Sequence, residues 1–346
     1  LSLDAVDLVV NSKRSEELFS LLQIPKVFRQ SIRQSWKRAD QPLYGRFDFG
    51  LHNGQLKLFE LNFDTPTSLY EAAILQWFWL QDHKDQGTLP SDADQFNSIH
   101  ETLVDGFRNV GCAIGTLHLA SLVDAREDED TVRYLQSCAT AADIETRFLF
   151  MHELGYDKVG RLIDSEGDVI TQLFKLYPWE YLIQEENLVA KGGGKHVLTT
   201  LIQANKTRFF EPPWKLLLSN KAMLQILFEL APECPFLLEA CLDNNSEQAS
   251  RLRKRAHARK PVFGREGGSV SLTFPHDSAR NESNPTEFGR EGFVLQEYFQ
   301  LPKFEGFHLL LGSWVIDGKP CGMGMRADTS AITTNRAIFV PHYIEN

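Results

Sequence analysis

The stretch Tyr44-Gly-Arg-Phe-Asp-Phe-Gly-Leu-His-Asn-Gly-Gln-Leu-Lys-Leu-Phe-Glu-Leu-Asn62 alternates in character on either side of an Asn-Gly pair. Such alternation marks half-buried strands, and Asn-Gly favours a tight hairpin turn. Residues 46–51 and 56–62 are therefore read as two strands turned by His52-Asn53-Gly54-Gln55. Side chains two apart share a strand face. Arg46 and Asp48 lie on one face, Phe47, Phe49 and Leu51 on the other, and Glu60 and Asn62 share a face of the return strand. Whether the two polar sets meet depends on the turn. A two-residue Asn53-Gly54 loop pairs His52 with Gln55 and puts the sets on opposite faces. A three-residue loop pairs Asp48 with Glu60 and Arg46 with Asn62. In that register Asp48, Glu60 and Asn62 offer a hard divalent cation the oxygen ligands it prefers. The alternative is a solvated polar face on an edge hairpin.

Working outward, residues 1–38 read as helix, with Leu8, Val9, Leu18, Leu21 and Leu22 at helical spacing, and Gln41-Pro42 breaks the pattern. Thr67–Trp79 reads as a helix opened by Pro66, with Thr65 or Asp64 as N-cap. Residues 99–182 alternate strand-like and helix-like runs at Gly115–Val123, Thr131–Thr140, Phe148–Met151 and Leu173–Tyr177, which predicts an open α/β layer. Trp214–Leu230 reads as one helix. Pro261–Phe274, Gly292–Phe299, His308–Ile316 and Pro320–Arg326 read as strands of a second, mostly antiparallel sheet, with Asp317-Gly318 as a hairpin turn and residues 275–291 as a polar loop. No linker separates these regions, so the expected architecture is α+β with lobes interdigitated in sequence.

Composition narrows the function. With 346 residues, 42% hydrophobic and 24% charged, the chain is an ordinary globular one, not disordered, collagen-like or disulfide-built. No apolar run approaches the ~18–20 residues of a membrane span, so no membrane partner is expected. The net charge of −10 disfavours generic nucleic-acid binding and suits a cationic partner. Cys112, Cys138, Cys234, Cys241 and Cys321 are scattered and form no CxxC pair, which indicates neither a zinc site nor a disulfide framework and fits a reducing cytoplasm. The chain starts at Leu1, which reads as a trimmed N-terminus and leaves a targeting segment open.

Two glycine-rich segments stand out. In Lys260-Pro-Val-Phe-Gly-Arg-Glu-Gly-Gly-Ser269 the backbone N–H groups of Gly267, Gly268 and Ser269 can approach phosphate oxygens, with Lys260 and Arg265 neutralising charge; the alternative is an ordinary hairpin loop. Phe288–Gly292 repeats Phe-Gly-Arg-Glu-Gly without the preceding Lys-Pro and reads as a loop entering a strand. Lys191-Gly-Gly-Gly-Lys195-His196 lacks the spacing and the Ser/Thr of a Walker loop. The basic run Arg251–Lys260 reads as a solvated helix face, or as an electrostatic entrance for an anionic substrate. Lys221 is a phosphate-ligand candidate, Gln296-Glu297-Tyr298 can present groups to a planar base, and Arg326 follows Gly322-Met-Gly-Met towards a site. The ten histidines form no HExxH and no recognisable triad.

Several segments agree in order and spacing with one family: Tyr44-Gly-Arg-Phe-Asp-Phe, Phe59-Glu-Leu-Asn-Phe-Asp-Thr-Pro-Thr-Ser68, Leu176-Tyr-Pro-Trp-Glu180, Trp214 through Ser219-Asn-Lys-Ala222, Lys260 through Gly267, Leu301-Pro-Lys-Phe304, Gly312-Ser-Trp314 and Gly324-Met-Arg326. The chain resembles the glutathionylspermidine synthase family, especially its stand-alone bacterial members, from about residue 1 to the C-terminus. The resemblance implies an ATP-grasp fold with a pre-ATP-grasp α/β layer. Residues 1–98 would carry the helix and metal-binding hairpin, 99–182 the α/β layer, and 183–346 the nucleotide-binding region with a glycine-rich lid. It implies ligase chemistry through an acyl phosphate, with ATP and Mg2+ as cofactors, glutathione as acid and spermidine as amine, and a possible homodimer. The family usually carries a further N-terminal stretch, and its bifunctional members an amidase domain; neither precedes this chain, so no hydrolase activity is expected.

Residue by residue, the resemblance makes Asp48, Glu60 and Asn62 magnesium ligands. Arg46 would stabilise the transferring phosphoryl group, and Arg265 and Arg326 would lie near the acyl-donor carboxylate or intermediate. Lys221 and Lys260 would hold ATP phosphates, Gly267 and Gly268 would belong to the mobile lid, and Gln296 and Glu297 would fall at the adenine-binding connection. Thr65, Thr67 and Ser68 would contact the peptide, and Glu127 and Asp128, in the run Glu127–Asp130, would hold a peptide ammonium or a polyamine, unless that run is a solvated loop. The rival readings are a peptide or amino-acid ligase with other substrates, and an ATP-binding protein without turnover. The intact Arg46, Asp48, Glu60, Asn62 and Lys260 argue against the latter.

Overall fold

Three main sheets build the molecule, and the hairpin at residues 44–62 belongs to the largest. In the computed structural model, which describes residues 1–110, 115–194 and 197–345, strand β1 is Tyr44–His52 and β2 is Gln55–Asn62. They form one antiparallel sheet with strands far along the chain, in the order Ile338–Val340, Lys319–Asp328, Phe307–Ile316, β1, β2. Cys112 and the Lys195-His196 end of the glycine run lie outside the described residues.

The second sheet is also antiparallel, in the order Glu282–Ser283, Ser271–Thr273, His257–Pro261, Phe293–Glu297, Ala240–Leu242. This corrects the single second sheet expected from the sequence. Residues 257–297 form their own layer, while the long hairpin of Phe307–Ile316 and Lys319–Asp328 joins β1 instead. Within the expected strand Pro261–Phe274, residues 262–270 leave the ladder as a loop between two short strands. The two sheets are thus contributed by alternating stretches of chain, the interdigitation expected of an α+β fold.

The third sheet is parallel: Thr146–Phe150, Leu117–Ser121, Gln172–Lys175, Arg208–Phe210. Parallel strands are buried on both faces, and these alternate accordingly. Leu173 and Phe209 pack into a core with Phe19, Phe28, Trp179 and Trp214. Phe174 and Phe210 pack on the other side with Tyr44, Phe107, Leu135 and Trp314.

Helical expectations needed three corrections. Residues 1–38 form three helices, Ser2–Asn11, Ser15–Leu21 and Lys26–Lys37, and the second break falls where Gln23 turns left-handed (φ 56°) two residues before Pro25. The helix expected from Thr67 is regular only after Ser68 (φ 66°), and passes through a π-helical turn at Glu71–Leu75 before Gln76–Asp85. Neither Thr65 nor Asp64 caps it: Asp64 instead accepts hydrogen bonds from the Trp179 N–H (2.7 Å) and Lys175 Nζ (3.2 Å). Finally, Trp214–Leu230 is a 3-10 segment (Pro213–Ser219) and a separate helix (Met223–Leu230). Asn220 breaks it, since its side-chain oxygen accepts from the Ala222 N–H (2.9 Å) while its amide donates to Leu22 O (2.7 Å).

Candidate active site

The hairpin combines the two turns weighed for it. Asn53 (φ 49°) and Gly54 (φ 74°) form the tight two-residue loop, so His52 pairs with Gln55. Phe59 then bulges out of β2, the register shifts between Asp48 and Phe49, and Asp48 faces Glu60 while Arg46 faces Asn62. A bulge inserts one residue into one strand, and here it moves the polar ends onto one face, the result attributed above to a longer turn.

The convergence is measured by the hydrogen bonds. Asn62 Nδ2 donates to Asp48 Oδ2 (2.8 Å) and Glu60 Oε1 (3.0 Å). Arg46 donates to both Asp48 oxygens (Nε 2.6 Å, Nη2 3.0 Å) and to Thr67 O, and Arg326 Nη2 reaches Asp48 Oδ2 at 3.2 Å. Asp48 is fully buried and Arg46 nearly so. Gly312 lies opposite Asp48, and a Cβ there would come within 2.7 Å of Arg46 Cδ; its absence lets the arginine lie across the sheet. Burial works against the Arg46 charge, but Asp48 outweighs it and holds the guanidinium above its ordinary pKa. At Arg326 burial wins, with Arg46 repelling it, and the pKa falls.

Two lysines arrive from other elements. The break at Asn220 extends the backbone so that the Lys221 N–H donates to Val262 O (2.9 Å), and Lys221 Nζ reaches Glu60 Oε2 (3.1 Å) and Gly264 O (2.8 Å). Lys260 Nζ donates to Gln296 Oε1 (2.6 Å) and Phe59 O (3.0 Å). Burial, aided by Lys221, pushes Lys260 down to about 8 against the pull of Glu60. Burial alone would raise Glu60, but Lys221 and Lys260 hold it far below the usual carboxylate range.

These groups line one cleft of about 1340 Å³, open solvent at its mouth included. Arg46, Arg265 and Arg326 line it together with Asp48, Glu60 and Asn62. Lys221, Lys260, Gly267 and Gly268 line it as well, as do Gln296, Glu297, Thr65 and Thr67. The buried Gln296 side chain orients Lys260 and donates to Leu58 O (2.9 Å), so it positions the lysine rather than pointing free into the space. Residues 264–268 and 270 of the 262–270 loop line it too. Gly267 is left-handed (φ 64°), and a Cβ there would sit 2.5 Å from Thr333 O. Apolar Leu272, Leu310 and Ile332 line the same cleft.

Three residues stand apart. Ser68 follows Thr67 without lining the cleft. Glu127 and Asp128 occupy the first turn of the helix Arg126–Ala141, not a loop, where carboxylates suit the helix dipole. Asp128 still feels the cleft: its carboxyl is raised first by burial and then by Glu127 and Glu266, against Arg265. The basic run 251–260 is part helix end and part strand, and Arg253 (2.5 Å) and Arg259 (2.6 Å) spend their charge on Asp243.

Sequence reasoning gave no role to Glu180, although it ends the Tyr177-Pro-Trp-Glu180 motif. Arg265 Nη2 donates to Glu180 Oε1 (3.2 Å) and Thr65 Oγ1 (2.8 Å). Burial opposes the Arg265 charge, yet Glu180 and Asp64 hold it above the ordinary value. Ser219 was also missed; its Oγ accepts from the N–H groups of Phe63 (3.0 Å) and Asp64 (2.8 Å), fixing the segment that follows β2.

As a metal site the hairpin offers two carboxylates and one amide; among the described residues no group of three or more His, Cys, Asp or Glu is arranged to hold an ion. That set fits magnesium, which is satisfied by one or two carboxylates plus water and substrate phosphates, once the Asn62 amide presents its oxygen. Among the described residues no helix is long and apolar enough to cross a membrane.

The fold and the family to which it leads are those of ATP-dependent carbon–nitrogen ligases. The chain belongs to the glutathionylspermidine synthase pre-ATP-grasp family, whose profile matches residues 1–345. A Haemophilus influenzae protein named "Putative acid–amine ligase" is 39% identical, covering 91% of this chain and 78% of its own length. Trypanothione synthetase of Crithidia fasciculata is 30% identical over 96% of this chain, which spans only 51% of that enzyme. The chain likewise spans about half (54%) of the bifunctional glutathionylspermidine synthetase/amidase of Escherichia coli, at 27% identity over 95% of this chain. Among solved structures, a glutathione synthetase-like effector from Globodera pallida shares the fold (TM-score 0.54, 13% identity, 94% of this chain and 84% of that one).

Proposed function

We propose that this chain is an ATP- and magnesium-dependent ligase that joins a peptide-like carboxylate to an amine through an acyl phosphate. The observation that carries it is the meeting, in one cleft, of Asp48, Glu60 and Asn62 with Lys221, Lys260 and a glycine-rich loop. The names of the relatives support an acid–amine reaction, with glutathione and spermidine as default substrates. On this reading residues 1–98 and 183–346 build the nucleotide site and 99–182 the accompanying layer.

Lys221 and Lys260 bind the triphosphate, Arg46 flanks the γ-phosphate, and Arg326 lies with Arg265 by the acyl-donor carboxylate. Charge developing on the transferring phosphoryl group is stabilised by such fixed cations more strongly in a dry site than in water. Asp48, Glu60 and Asn62 would hold a magnesium ion, which would supply charge neutralisation for the triphosphate. The substrate carboxylate attacks the γ-phosphorus, ADP leaves, and an acyl phosphate forms. The amine then attacks the acyl carbon, inorganic phosphate departs, and the amine proton is released. Thr65 and Arg265 orient the acyl donor, and the 262–270 loop excludes the water that would hydrolyse the intermediate.

The test is ADP release and mass spectrometry of products with magnesium, ATP and a panel of acids and amines. A new amide that needs both substrates, with a rate at least 100-fold lower in Asn62→Ala, is the expected result. ATP binding with no turnover on any pair sinks the ligase reading.

A further inference from the structure

The glycine-rich loop carries Arg265 to the first turn of the helix Trp179–Lys191, where it meets Glu180. The contact between them is single: Arg265 Nη2 donates to Glu180 Oε1 at 3.2 Å, and also to Thr65 Oγ1 at 2.8 Å. Two atoms of the same pair are left over. Arg265 Nε and Glu180 Oε2 are both buried and have no hydrogen-bond partner in the structure. A guanidinium grips a carboxylate best through two parallel N–H···O bonds, and Nε together with Nη2 is an edge that supplies them. The pair is thus one bond short of a closed fork. A buried donor and a buried acceptor left unmade are costly, and here one rearrangement satisfies both.

The loop is the side that moves. Trp179 and Ile183 bury the helix in the core, whereas Glu266 (φ 52°) and Gly267 (φ 64°) turn the loop tightly. An outer cavity of about 580 Å³, its open mouth included, gives the loop room; it is lined by Phe263 and Gly264 of the loop and by Glu180, Tyr181 and Gln184 of the helix. Glu180 lines the main cleft as well. Lys221 Nζ meanwhile holds Gly264 O at 2.8 Å. A triphosphate that recruits Lys221 weakens that hold and lets Arg265 swing towards Glu180.

We propose that Glu180 is a positioning residue that latches the glycine-rich loop: once nucleotide is bound, Arg265 Nε closes onto Glu180 Oε2, and the completed fork holds the loop over the cleft. The assignment rests on the ligase reading above for what the latch protects. Both bonds of the fork use Nε and Nη2, so Arg265 Nη1 stays available to the acyl donor. The closed loop keeps water from the acyl phosphate until the amine attacks. Glu180 therefore governs how much amide forms per ATP consumed, and it does so through Arg265 without touching the reacting atoms.

The experiment compares wild type with Glu180→Gln, whose amide accepts only one of the two bonds, and Glu180→Asp, which keeps the charge on a shorter arm. One readout is amide formed per ADP released, on the acid–amine pair that the panel above identifies. The other is hydrogen exchange at residues 262–270 with and without magnesium and the non-hydrolysable ATP analogue AMPPNP. The analogue should slow exchange of the wild-type loop about tenfold and that of Glu180→Gln little. Glu180→Gln should still release ADP but form about tenfold less amide per ADP, the loss expected when one charge-assisted hydrogen bond leaves the closed state. Glu180→Asp should fall between, and it carries the test if Glu180→Gln does not fold. Protection that is absent in wild type, or equal in wild type and variant, overturns the latch, and so does an unchanged ratio of amide to ADP. If no pair is turned over, the ligase reading fails and hydrogen exchange alone decides the latch.

Discussion

Single atoms decide two positions in the cleft. Gly267 combines a left-handed backbone with a Cβ direction blocked by Thr333 O at 2.5 Å. Gly267→Ala imposes roughly 1–2 kcal/mol of backbone strain and pushes the loop off the segment at residues 331–333. The expected outcome is a chain that folds with near-native melting but has ATP affinity reduced about tenfold or more, read by nucleotide titration; unchanged affinity contradicts the loop's role. Asp48 is different, because it is buried between Arg46 and Arg326. Removing one partner of a buried ion pair costs on the order of 3–5 kcal/mol, since the remaining charge is left unpaired. Asp48→Ala should therefore lower the urea midpoint markedly, whereas Asn62→Ala should not, and equal midpoints for the two would refute this account.

Among elements, the turn after the strand Lys319–Asp328 carries a separable acid sensitivity. The buried Asp328 carboxylate accepts from Ser330 N (3.0 Å), Thr334 N (2.8 Å) and Thr334 Oγ1 (2.8 Å), and so shapes the segment that meets the glycine-rich loop. Burial alone would raise its pKa, but the hydrogen bonds win and hold it below the ordinary value. A depressed carboxylate stabilises the fold above its unfolded pKa of about 4 and loses that contribution as pH falls through the folded value. Asp328→Asn should melt below wild type at pH 7, with the gap closing under pH ~4, as differential scanning calorimetry would show. A gap constant with pH would remove the carboxylate from the explanation. The elements also mark where the sequence was legible. Alternation at Tyr44–Asn62 exposed the strands and the Asn-Gly turn, but the bulge at Phe59 leaves no periodic trace. Trp214–Leu230 is apolar enough for one helix, and only the contacts of Asn220 with Leu22 and Ala222 break it.

The whole molecule is held together by pairing between its ends. β1 is bonded on one side to β2 and on the other to Phe307–Ile316, with Arg46 opposite Trp314. A fragment of residues 1–306 would expose that edge of β1 and lose Trp314 and Ile316 from the core around Tyr44. It is expected to aggregate or remain unfolded by circular dichroism and gel filtration; a folded monomeric fragment would show the lobes to be independent. Burial across the whole chain also governs thiol chemistry. Cys138 and Cys241 are pushed up to about 11 and Cys321 to about 12 by burial, so among the described cysteines Cys234 should be alkylated first at pH 7.5. Peptide mapping of labelled native protein checks the order, and prompt labelling of Cys321 would contradict it.

By itself the sequence determined the strand and turn character of residues 44–62, the α+β class, the glycine-rich loop at 264–269 and, through ordered motifs, the family. These are local signals: side-chain period, turn chemistry and short spacings survive in one dimension. Tertiary structure alone decided that β1 pairs with residues 307–316, that a bulge rather than a longer turn brings Asp48 to Glu60, and that Glu180 stands between two cavities with one oxygen unpaired. Each depends on which distant backbone supplies the neighbouring hydrogen bonds and fills the adjoining volume, and sequence spacing carries no record of either.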